Sequence, residues 1–349
     1  MVALISPWSA VTRYPKTAAG WAAARTALLA YLYPAGLPTK GADSIVRDLN
    51  LMRCHQTYPE YVTSALPTGC AKIDEYCCAT PGGRSGGTPL YGQLCYPSAT
   101  PVGKLLIWAG GHIGVTPWWS YAAYGAASSL AGLALAAGWH VLGVDMPGVG
   151  AQPAAEVITV NGTPTAFTDT HAFAALDADG GPLGWRMFTE HIITFLTQAI
   201  ADLAPTQVVM AGHSGGVDVT GSVGALDSRL NQIAVLQGPK PICAAPGYNG
   251  PTHWEMYVQS IFYSTVALGD IGSLLALAAS WPGRYSFLAD QVGAEDITDE
   301  QYRREKEYWC RFRETLGIAD KVTLWRQDTD EHNPNAAESA ACFNFFQGN

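Results

Sequence analysis

Charged side chains are scarce in this sequence, and basic ones are scarcer than acidic ones. Only 14% of the 349 residues are charged, and 20 lysines and arginines stand against 29 acidic residues, for a net charge of −9. A disordered chain would be richer in charge and poorer in apolar residues than this one, which is 48% hydrophobic. The sequence has no basic cluster to neutralise phosphates, so we expect no nucleic-acid partner.

Long hydrophobic runs are missing as well. No apolar stretch of the sequence reaches the roughly 18–20 residues that a bilayer-spanning helix needs, so we expect no membrane span. Met1–Ser9 contains no basic segment that leads into a long apolar stretch, and the sequence therefore predicts no signal peptide.

The sequence has eight cysteines, but it has no C-x-x-C pair and no nearby pair of histidines at ligand spacing. It therefore predicts no metal site. Five cysteines fall in one Gly/Pro-rich stretch: Cys54, Cys70, Cys77, Cys78 and Cys95. An even number of cysteines, clustered in loop-like sequence, favours disulfides and an oxidising, extracytoplasmic compartment. The alternative is a set of reduced, buried thiols in a cytosolic protein.

Short apolar segments alternate with helical ones from Leu90 onwards, which is typical of an α/β fold. The predicted strands are Leu90–Cys95, Lys104–Trp108, His140–Val144, Gln207–Ala211, Gln232–Leu236, Arg284–Ala289 and Lys321–Arg326. The predicted helices are Thr17–Tyr31, Tyr121–Ala137, Trp185–Leu203, Val217–Leu226, Asp299–Leu316 and Ala336–Phe346, with a hairpin over residues 157–165. Strands separated by helices of this length imply a mainly parallel sheet covered by helices on both faces.

Two segments stand apart from this alternation. Residues 1–88 begin with a helix and continue into Cys- and Gly-rich sequence, so we expect an N-terminal extension ahead of an α/β domain at residues 89–349. Residues 239–284 are long, apolar and aromatic, which predicts a cap insertion over one end of the sheet.

The pattern G-x-S-x-G occurs twice, at Gly83–Gly87 and at Gly212–Gly216. Ser214 follows an apolar strand and precedes a helix, which is the strand–turn–helix arrangement of a nucleophilic serine. Small neighbours let such a serine occupy a strained turn, and the N-terminus of the following helix favours developing negative charge. Ser85 has no predicted strand before it and no predicted helix after it, so we interpret it as part of a loop.

The segment Val208–Gly216 (VVMAGHSGG) resembles the nucleophile elbow of the α/β-hydrolase superfamily. Asp145–Gly150 (DMPGVG) is similar to the D-x-x-G-x-G turn after the fourth strand of that family. Residues 89–349 follow the order of the fold, and the chain is most similar to acetyl-ester hydrolases and carboxylesterases. The resemblance implies an α/β-hydrolase fold and a serine hydrolase with Ser214 as its nucleophile.

A serine hydroxyl needs a base to accept its proton, and that base needs an acid to orient it. In the family the order is serine, acid and then a histidine after the last strand, which His332 satisfies. The acid is expected after the predicted strand that precedes the last one. Asp296 is the first choice, because Gly293–Asp296 resembles the family's G-x-x-D ending, and Asp290 and Glu295 are the alternatives.

The tetrahedral intermediate of acyl transfer needs two backbone N–H donors. The resemblance implies that one of them is Gly215, the residue after the nucleophile. The other is expected in Ala109–His112, which looks like the family's H-G-G-G loop with alanine in place of the first histidine. Gly111 is the first choice there and His112 the alternative.

Tryptophans in predicted loops and in the predicted cap are candidates for the walls of an apolar substrate pocket; they are Trp118, Trp119, Trp254 and Trp281. Core packing is the alternative interpretation of these side chains.

These residues predict an esterase that acts on a small-molecule, carbohydrate or polymer ester through an acyl-enzyme intermediate, without a metal or organic cofactor. A serine peptidase of the prolyl-oligopeptidase type shares this catalytic domain, but the roughly 90 residues ahead of it are too few for an N-terminal propeller. A non-catalytic binding protein with the same fold is the third hypothesis, and the presence of all three triad roles in order argues against it.

Overall fold

The computed structural model describes residues 17–53, 63–79, 89–110, 126–144, 146–147, 156–160, 163–167, 183–236, 278–292, 314, 320–328 and 334–348. The helices within these residues are α1 (Ala18–Leu32), α2 (Leu130–Ala136), α3 (Leu183–Leu203), α4 (Gly216–Leu226) and α5 (Ala336–Gln347). The strands within them are β1 (Ser44–Leu49), β2 (Met52–Arg53), β3 (Thr63–Ser64), β4 (Cys70–Cys78), β5 (Leu90–Pro97), β6 (Lys104–Ala109), β7 (His140–Val144), β8 (Glu156–Val160), β9 (Thr163–Phe167), β10 (Gln207–His213), β11 (Gln232–Leu236), β12 (Tyr285–Val292) and β13 (Val322–Asp328).

One sheet of nine strands organises the described part of the chain. Its order is β1-β4-β5-β7-β6-β10-β11-β12-β13. The strands from β7 to β13 along this order are parallel, whereas β5, β4 and β1 continue the sheet in antiparallel pairing. The carboxyl ends of the six parallel strands therefore meet at one edge of the sheet, with β10 near its middle.

Both faces of the sheet are covered by helices. Along β6, Leu105 and Ile107 pack into one core cluster, which contains residues of α1, α3 and α4. Leu106 and Trp108 point the other way, into a second cluster with residues of α2 and α5. A strand buried on both faces needs apolar residues at successive positions, which explains the continuous apolar run of β6. The prediction of a mainly parallel sheet with helices on both faces is confirmed.

The predicted strands agree with the structure to within three residues at each end. The largest extension, of three residues, is at the carboxyl end of β12, and β5, β10 and β13 each continue two residues further than predicted. In β10 the ladder continues through Gly212 and His213, which pair with Val235 and Leu236 of β11. Backbone pairing, which does not depend on side-chain polarity, extends these strands beyond their apolar sequence.

The helix predicted over Tyr121–Ala137 is shorter in the described part of the chain. Residues 126–129 form a turn, and the helix begins at Leu130, with Ser129 as its N-cap. The hydroxyl of Ser129 accepts a hydrogen bond from the amide of Gly132 at 3.0 Å. A capping serine satisfies an amide that the first helical turn leaves unpaired, and this fixes the start of α2 inside the Ala-rich segment.

The sheet begins before the predicted domain boundary at residue 89. Strand β4 pairs along its length with β5, and β1 pairs with β4 at the edge of the sheet. Helix α1 also contributes Ala24, Leu28 and Leu32 to the core cluster that lies under α3 and α4. The described residues ahead of position 89 are thus joined to the same sheet and core as those after it.

Five cysteines are described, and none of them takes part in a disulfide: Cys70, Cys77, Cys78, Cys95 and Cys342. The disulfides that the cysteine count favours are therefore not formed among these five. The interpretation of the N-terminal cysteine cluster as loop-like sequence is wrong for three of its members, because Cys70, Cys77 and Cys78 lie in β4. Cys95 lies in β5, within the strand predicted at Leu90–Cys95. Most residues of β4 are buried in the sheet, and this pairing and burial outweigh the high Gly and Pro content of the flanking sequence.

An ionic network joins the antiparallel strands to α3. Arg47 of β1 donates from Nη1 to Asp74 at 2.6 Å and holds Asp202 of α3 with both terminal nitrogens, at 2.8 and 3.0 Å. The hydroxyl of Tyr76 donates to Asp202 at 2.6 Å, and that of Tyr96 donates to Asp74 at 2.8 Å. Each carboxylate is thus shared between a cation and a phenol, which ties β1, β4 and β5 to the helix above them.

Two predicted segments lie largely outside the described residues. The predicted helix Asp299–Leu316 is described at Glu314 alone. Of the predicted cap at residues 239–284, the part at 278–284 is described, and Ala278 and Ala279 are buried in the core cluster that contains α4.

None of the helices in the described part of the chain is both long and apolar enough to cross a membrane. Among the same residues, no group of three or more His, Cys, Asp or Glu side chains is placed to hold a metal ion.

Candidate active site

Ser214 occupies the turn between β10 and α4. Its φ angle is +53°, in the left-handed region that non-glycine residues seldom adopt. The amide of Ser214 donates to the carbonyl oxygen of Leu236 at 3.3 Å, and the amide of Val217 donates to the carbonyl oxygen of Ser214 at 3.0 Å. One hydrogen bond extends the β10–β11 ladder and the other starts the helix, so the strained backbone is held from both sides.

The flanking glycine Gly212 is required by the same turn. A Cβ atom at this position would overlap the carbonyl oxygen of Gly216 and Oγ1 of Thr220. The end of β10 therefore lies directly against the first turn of α4, and only glycine allows this approach. The pattern G-x-S-x-G at Gly212–Gly216 thus has the geometry of a nucleophile elbow, as the strand and helix around it predict.

The serine lies at the carboxyl edge of the parallel strands. Strand β10 stands between β6 and β11, with Gly212 paired to Ala109 on one side and to Val235 on the other. Ser214 is 6% exposed and His213 is 1% exposed, so the turn is enclosed by its neighbours. A crevice beyond the carboxyl ends of parallel strands is the usual ligand site of open α/β sheets.

Helix α4 directs its N-terminus towards Ser214. Gly215 is its N-cap residue, with φ −58° and ψ −21°, and no side chain caps this end. The first amides of a helix have no intrahelical carbonyl partner, and they carry the positive end of the helix dipole. This end is suited to stabilise a negative charge that develops beside Ser214, and the oxyanion role of Gly215 stays a prediction.

The candidate acids differ in how the structure places them. Asp290 lies within β12, in register with Arg326 of β13, and Ala289 before it pairs with Leu236 of β11. Because Leu236 also pairs with His213, the backbone of Asp290 lies at the level of Ser214, two strands away. Asp296 and Glu295 lie outside the described residues.

His332 also lies outside the described residues. Strand β13, which precedes it, ends at Asp328 on the same sheet edge as Ser214. The chain is described again from Pro334, which is buried and precedes α5. The order of strand, histidine and helix is therefore the one that the sequence predicts, and the role of His332 remains a prediction.

Two other histidines, His140 and His191, make contacts away from Ser214. His140 stands at the amino end of β7, opposite the edge that carries Ser214, and its ring centroid lies 5.1 Å from that of Tyr96. Burial lowers the pKa of His140, which favours its neutral form. His191 is buried within α3, where Nδ1 lies 3.1 Å from the carbonyl oxygen of Met187. His140 is excluded as the base by its position, and His191 has a packing role.

The expected oxyanion loop and substrate pocket are described only at their borders. Strand β6 ends at Ala109, followed by Gly110, at the edge that carries Ser214. The candidates beyond this point lie outside the described residues: Gly111, His112, Trp118, Trp119 and Trp254.

Trp281 does not belong to this edge of the sheet. It precedes the amino end of β12, its indole nitrogen donates to the carbonyl oxygen of Ala225 at 3.2 Å, and the Arg25 guanidinium lies 4.2 Å from its ring centroid. The interpretation of Trp281 as a pocket wall is therefore wrong. Its ring anchors the chain to the carboxyl end of α4 and to α1.

Sequence reasoning missed two residues that shape the turn, Leu236 and Thr220. Leu236 acts through its carbonyl oxygen, which any residue would supply, so the sequence carries no signal for it. Thr220 acts through its contact with Gly212. Its position one helical turn after Gly216 places it over the end of β10. This contact can be predicted from the sequence only if the strand–turn–helix arrangement around Ser214 is assumed first.

The chain was compared with protein-family models, curated sequences and solved structures. No protein-family model matches the chain, and no curated protein matches its sequence. Among solved structures, methylesterase BT1017 matches with a TM-score of 0.56 and 17% identity, over 94% of this chain and 63% of that one. An acetyl xylan esterase from a Paenibacillus species matches with a TM-score of 0.52 and 14% identity, over 95% and 93% of the two chains. Acetyl xylan esterase 1 from a Thermoanaerobacterium species matches with a TM-score of 0.50 and 12% identity, over 94% and 93%.

These likenesses define the fold. The nine-stranded, mostly parallel sheet with helices on both faces is an α/β-hydrolase fold, and Ser214 lies in the turn between β10 and α4 of this sheet. The chain spans 63% of the length of the methylesterase that it matches.

Proposed function

We propose that the protein is a serine esterase that hydrolyses carboxylic esters through an acyl-enzyme intermediate. The observation that carries this proposal is the left-handed backbone of Ser214 between β10 and α4. A non-glycine residue in this conformation costs free energy, and such strain is retained mainly where it positions a functional side chain. The solved structures of similar fold include esterases by name, which supports ester hydrolysis over other acyl transfers.

In the proposed mechanism, Ser214 Oγ attacks the ester carbonyl while His332 accepts its proton. His332 then returns the proton to the leaving alcohol, and a water molecule activated by the same histidine releases the acid. Asp296 orients His332 and stabilises its charged form, with Asp290 and Glu295 as the alternative acids. No metal is needed in these steps, because the histidine supplies the proton transfers.

The negative oxygen of the tetrahedral intermediate would be bound by backbone amides. Gly215, at the N-terminus of α4, supplies one donor, and Gly111 supplies the other, with His112 as its alternative. Loss of one such donor costs about 3 kcal/mol of transition-state stabilisation in serine hydrolases.

The proposed substrate is a small-molecule or carbohydrate ester with a short acyl or alkyl group. The named activities of the neighbours, acetyl xylan esterase and methylesterase, support this class. A panel of p-nitrophenyl acetate, butyrate and octanoate, together with acetylated xylan, tests it. We expect the highest kcat/KM on the shortest acyl chain and release of acetate from the polymer, and a preference for octanoate would contradict this substrate class.

The two G-x-S-x-G patterns provide a matched test of the proposed activity. We expect Ser214→Ala to lower kcat on p-nitrophenyl acetate by a factor on the order of 10⁴–10⁶, because the nucleophile is removed. Ser85→Ala, at the same pattern in the other segment, should leave kcat unchanged. Full activity in Ser214→Ala would refute the proposal, and cleavage of a prolyl anilide in preference to the esters would favour a peptidase instead.

A further inference from the structure

Two cysteines on neighbouring strands share one face of the sheet. Cys70 begins β4 and is paired with Pro97 of β5, whereas Cys95 of β5 is paired with Ile73. Side chains two residues apart on a strand point to the same face, so Cys95 and Pro97 share a face, and Cys70 opposite Pro97 shares it too. Cys70 and Cys95 are therefore diagonal neighbours across the two strands. The pairing register shifts between Cys70 and Lys72, directly beside Cys70.

The two thiols are in contact. Cys95 and Cys70 are joined by a side-chain hydrogen bond, and Cys70 Sγ in turn lies 3.2 Å from the carbonyl oxygen of Lys72. Both residues belong to one core cluster, in which Cys95 is fully buried and Cys70 is 9% exposed. The pair is therefore enclosed on the side of Cys95 and open towards solvent only at Cys70, where the strand begins.

The thiols differ in acidity. The hydrogen bond with Cys95 is the main cause that lowers the pKa of Cys70, and it outweighs the effect of burial. Burial raises the pKa of Cys95 well above its usual value, and the contact with Cys70 adds to this effect. The attacking species in thiol chemistry is the thiolate, so Cys70 is suited to react first and Cys95 to resolve the product.

We propose that Cys70 and Cys95 form a redox-sensitive pair that closes to a cross-strand disulfide when a low-molecular-weight disulfide, such as oxidised glutathione, is in excess. The Cys70 thiolate attacks one sulfur of glutathione disulfide, forms a mixed disulfide and releases one glutathione thiolate. Cys95 then loses its proton, attacks Cys70 Sγ and displaces the second glutathione. Two protein thiols are oxidised, one glutathione disulfide is reduced, and the two protons end on the released glutathione molecules.

The other two cysteines of β4 are placed differently. Cys77 stands opposite Tyr91, and burial raises the pKa of its half-buried thiol. Cys78 packs into the core cluster on the opposite face of the sheet from Cys70 and Cys95. Cys77, on the same strand as Cys70, is therefore a matched control.

Closure of the pair would link β4 to β5, two antiparallel strands that together connect the edge of the sheet to the parallel strands. A cross-link removes conformations from the unfolded chain, so the oxidised protein should be more stable than the reduced one. The pair lies in strands that do not carry Ser214, so its oxidation state is measured independently of ester hydrolysis.

Peptide mapping tests the proposal directly. Trypsin places Cys70 in the peptide 54–72 and Cys95 in the peptide 85–104, so the Cys54→Ser variant leaves one cysteine in each. The folded variant is incubated with oxidised glutathione, alkylated with N-ethylmaleimide in acid-quenched samples, and digested without reduction. We expect the two peptides to be recovered as one disulfide-linked species that reduction separates. Recovery of both peptides alkylated, or each joined to glutathione alone, would overturn the proposal.

Thermal unfolding of oxidised and reduced samples gives a second measurement. The cysteine variants Cys70→Ser, Cys95→Ser and Cys77→Ser are each compared with themselves in the two redox states, so that a loss of stability from the substitution cancels. We expect oxidation to raise Tm by a few degrees in the Cys77→Ser variant and not to change it in the other two. Cys95→Ala replaces Cys95→Ser if the buried hydroxyl prevents folding. An equal rise in all variants would assign the effect to a different pair and refute the proposal.

Discussion

Gly212 lies so close to Thr220 that a single methyl group at position 212 would overlap the threonine Oγ1. The contact joins the end of β10 to α4 at a residue one turn after the start of the helix, and Ser214 lies in the turn between these two elements. The close packing of β10 against α4 thus fixes the position of Ser214. Because there is no space for an added methyl group at Gly212, even a glycine-to-alanine substitution should disturb the turn.

The variant Gly212→Ala tests this contact. We expect it to lower the free energy of unfolding by about 1–3 kcal/mol, the usual effect of an extra methylene in a close-packed site, and to lower kcat because the turn must shift. Urea unfolding and ester hydrolysis measure the two effects. The double variant Gly212→Ala/Thr220→Ala should recover part of the stability, since one of the two overlapping groups is removed. Wild-type stability in Gly212→Ala would contradict the geometry.

The left-handed backbone of Ser214 predicts that glycine is tolerated better than alanine at this position. At φ +53° a Cβ atom is strained, so Ser214→Gly should be more stable than Ser214→Ala by about 1 kcal/mol, although both abolish hydrolysis. At Ser222, inside α4, the same comparison should reverse, because glycine is about 1 kcal/mol worse than alanine in a helix. Thermal unfolding of the four variants measures the difference in stability between glycine and alanine at each position. The same order at both positions would contradict a strained elbow.

The triad assignment predicts a hierarchy among three carboxylates. Asp296→Asn should lower kcat about 10⁴-fold, because the acid that orients and stabilises the base is lost. His332→Ala should have an effect at least as large. Asp290→Asn and Glu295→Gln serve as matched controls and should remain within a few fold of wild type. A large loss of kcat in Asp290→Asn, together with full activity in Asp296→Asn, would instead identify Asp290 of β12 as the acid.

The ionic network at α3 predicts a pH-dependent contribution to stability. Burial raises the pKa of the Asp202 carboxyl, but hydrogen bonds from Arg47, Tyr76 and Gln198 outweigh it, and the pKa lies below its usual value. A depressed carboxyl pKa stabilises the fold above the unfolded value of about 3.9, and this stabilisation is lost as the pH falls through the folded pKa.

Asp202→Asn should therefore lower the free energy of unfolding by about 1 kcal/mol at pH 7, since Arg47 is partly exposed and solvent screens the pair. The difference from wild type should shrink below about pH 4, and urea unfolding at both pH values measures it. Asp48→Asn is the control, because Asp48 is 69% exposed and should contribute little at either pH. A constant difference across the pH range would contradict the assignment.

Much of the sheet could be predicted from the sequence because its central strands are buried on both faces. Segments such as Lys104–Ala109 and Gln232–Leu236 are short apolar runs between helical stretches, and this pattern is typical of buried parallel strands. Strands β1 and β4 gave no such signal. Strand β4 carries Asp74 and Glu75 among its buried residues, and their burial depends on partners far along the chain, such as Arg47 for Asp74.

The site was predictable to the extent that it is local. Ser214 is identified by residues within a few positions of it, and the structure shows the turn that those residues imply. Trp281 was misplaced because its partners, Arg25 and Ala225, are distant in sequence. The position of an indole in a predicted cap does not show which end of the sheet its side chain contacts.

Labelling with a fluorophosphonate tests the central claim, that Ser214 is the nucleophile, most directly. Trypsin places Ser214 in the peptide 187–229 and Ser85 in the peptide 85–104, so mass spectrometry separates the two G-x-S-x-G patterns. We predict stoichiometric phosphonylation of the peptide 187–229, with loss of ester hydrolysis, and no label on it in Ser214→Ala. Label on the peptide 85–104, or continued hydrolysis by a fully labelled protein, would contradict the claim.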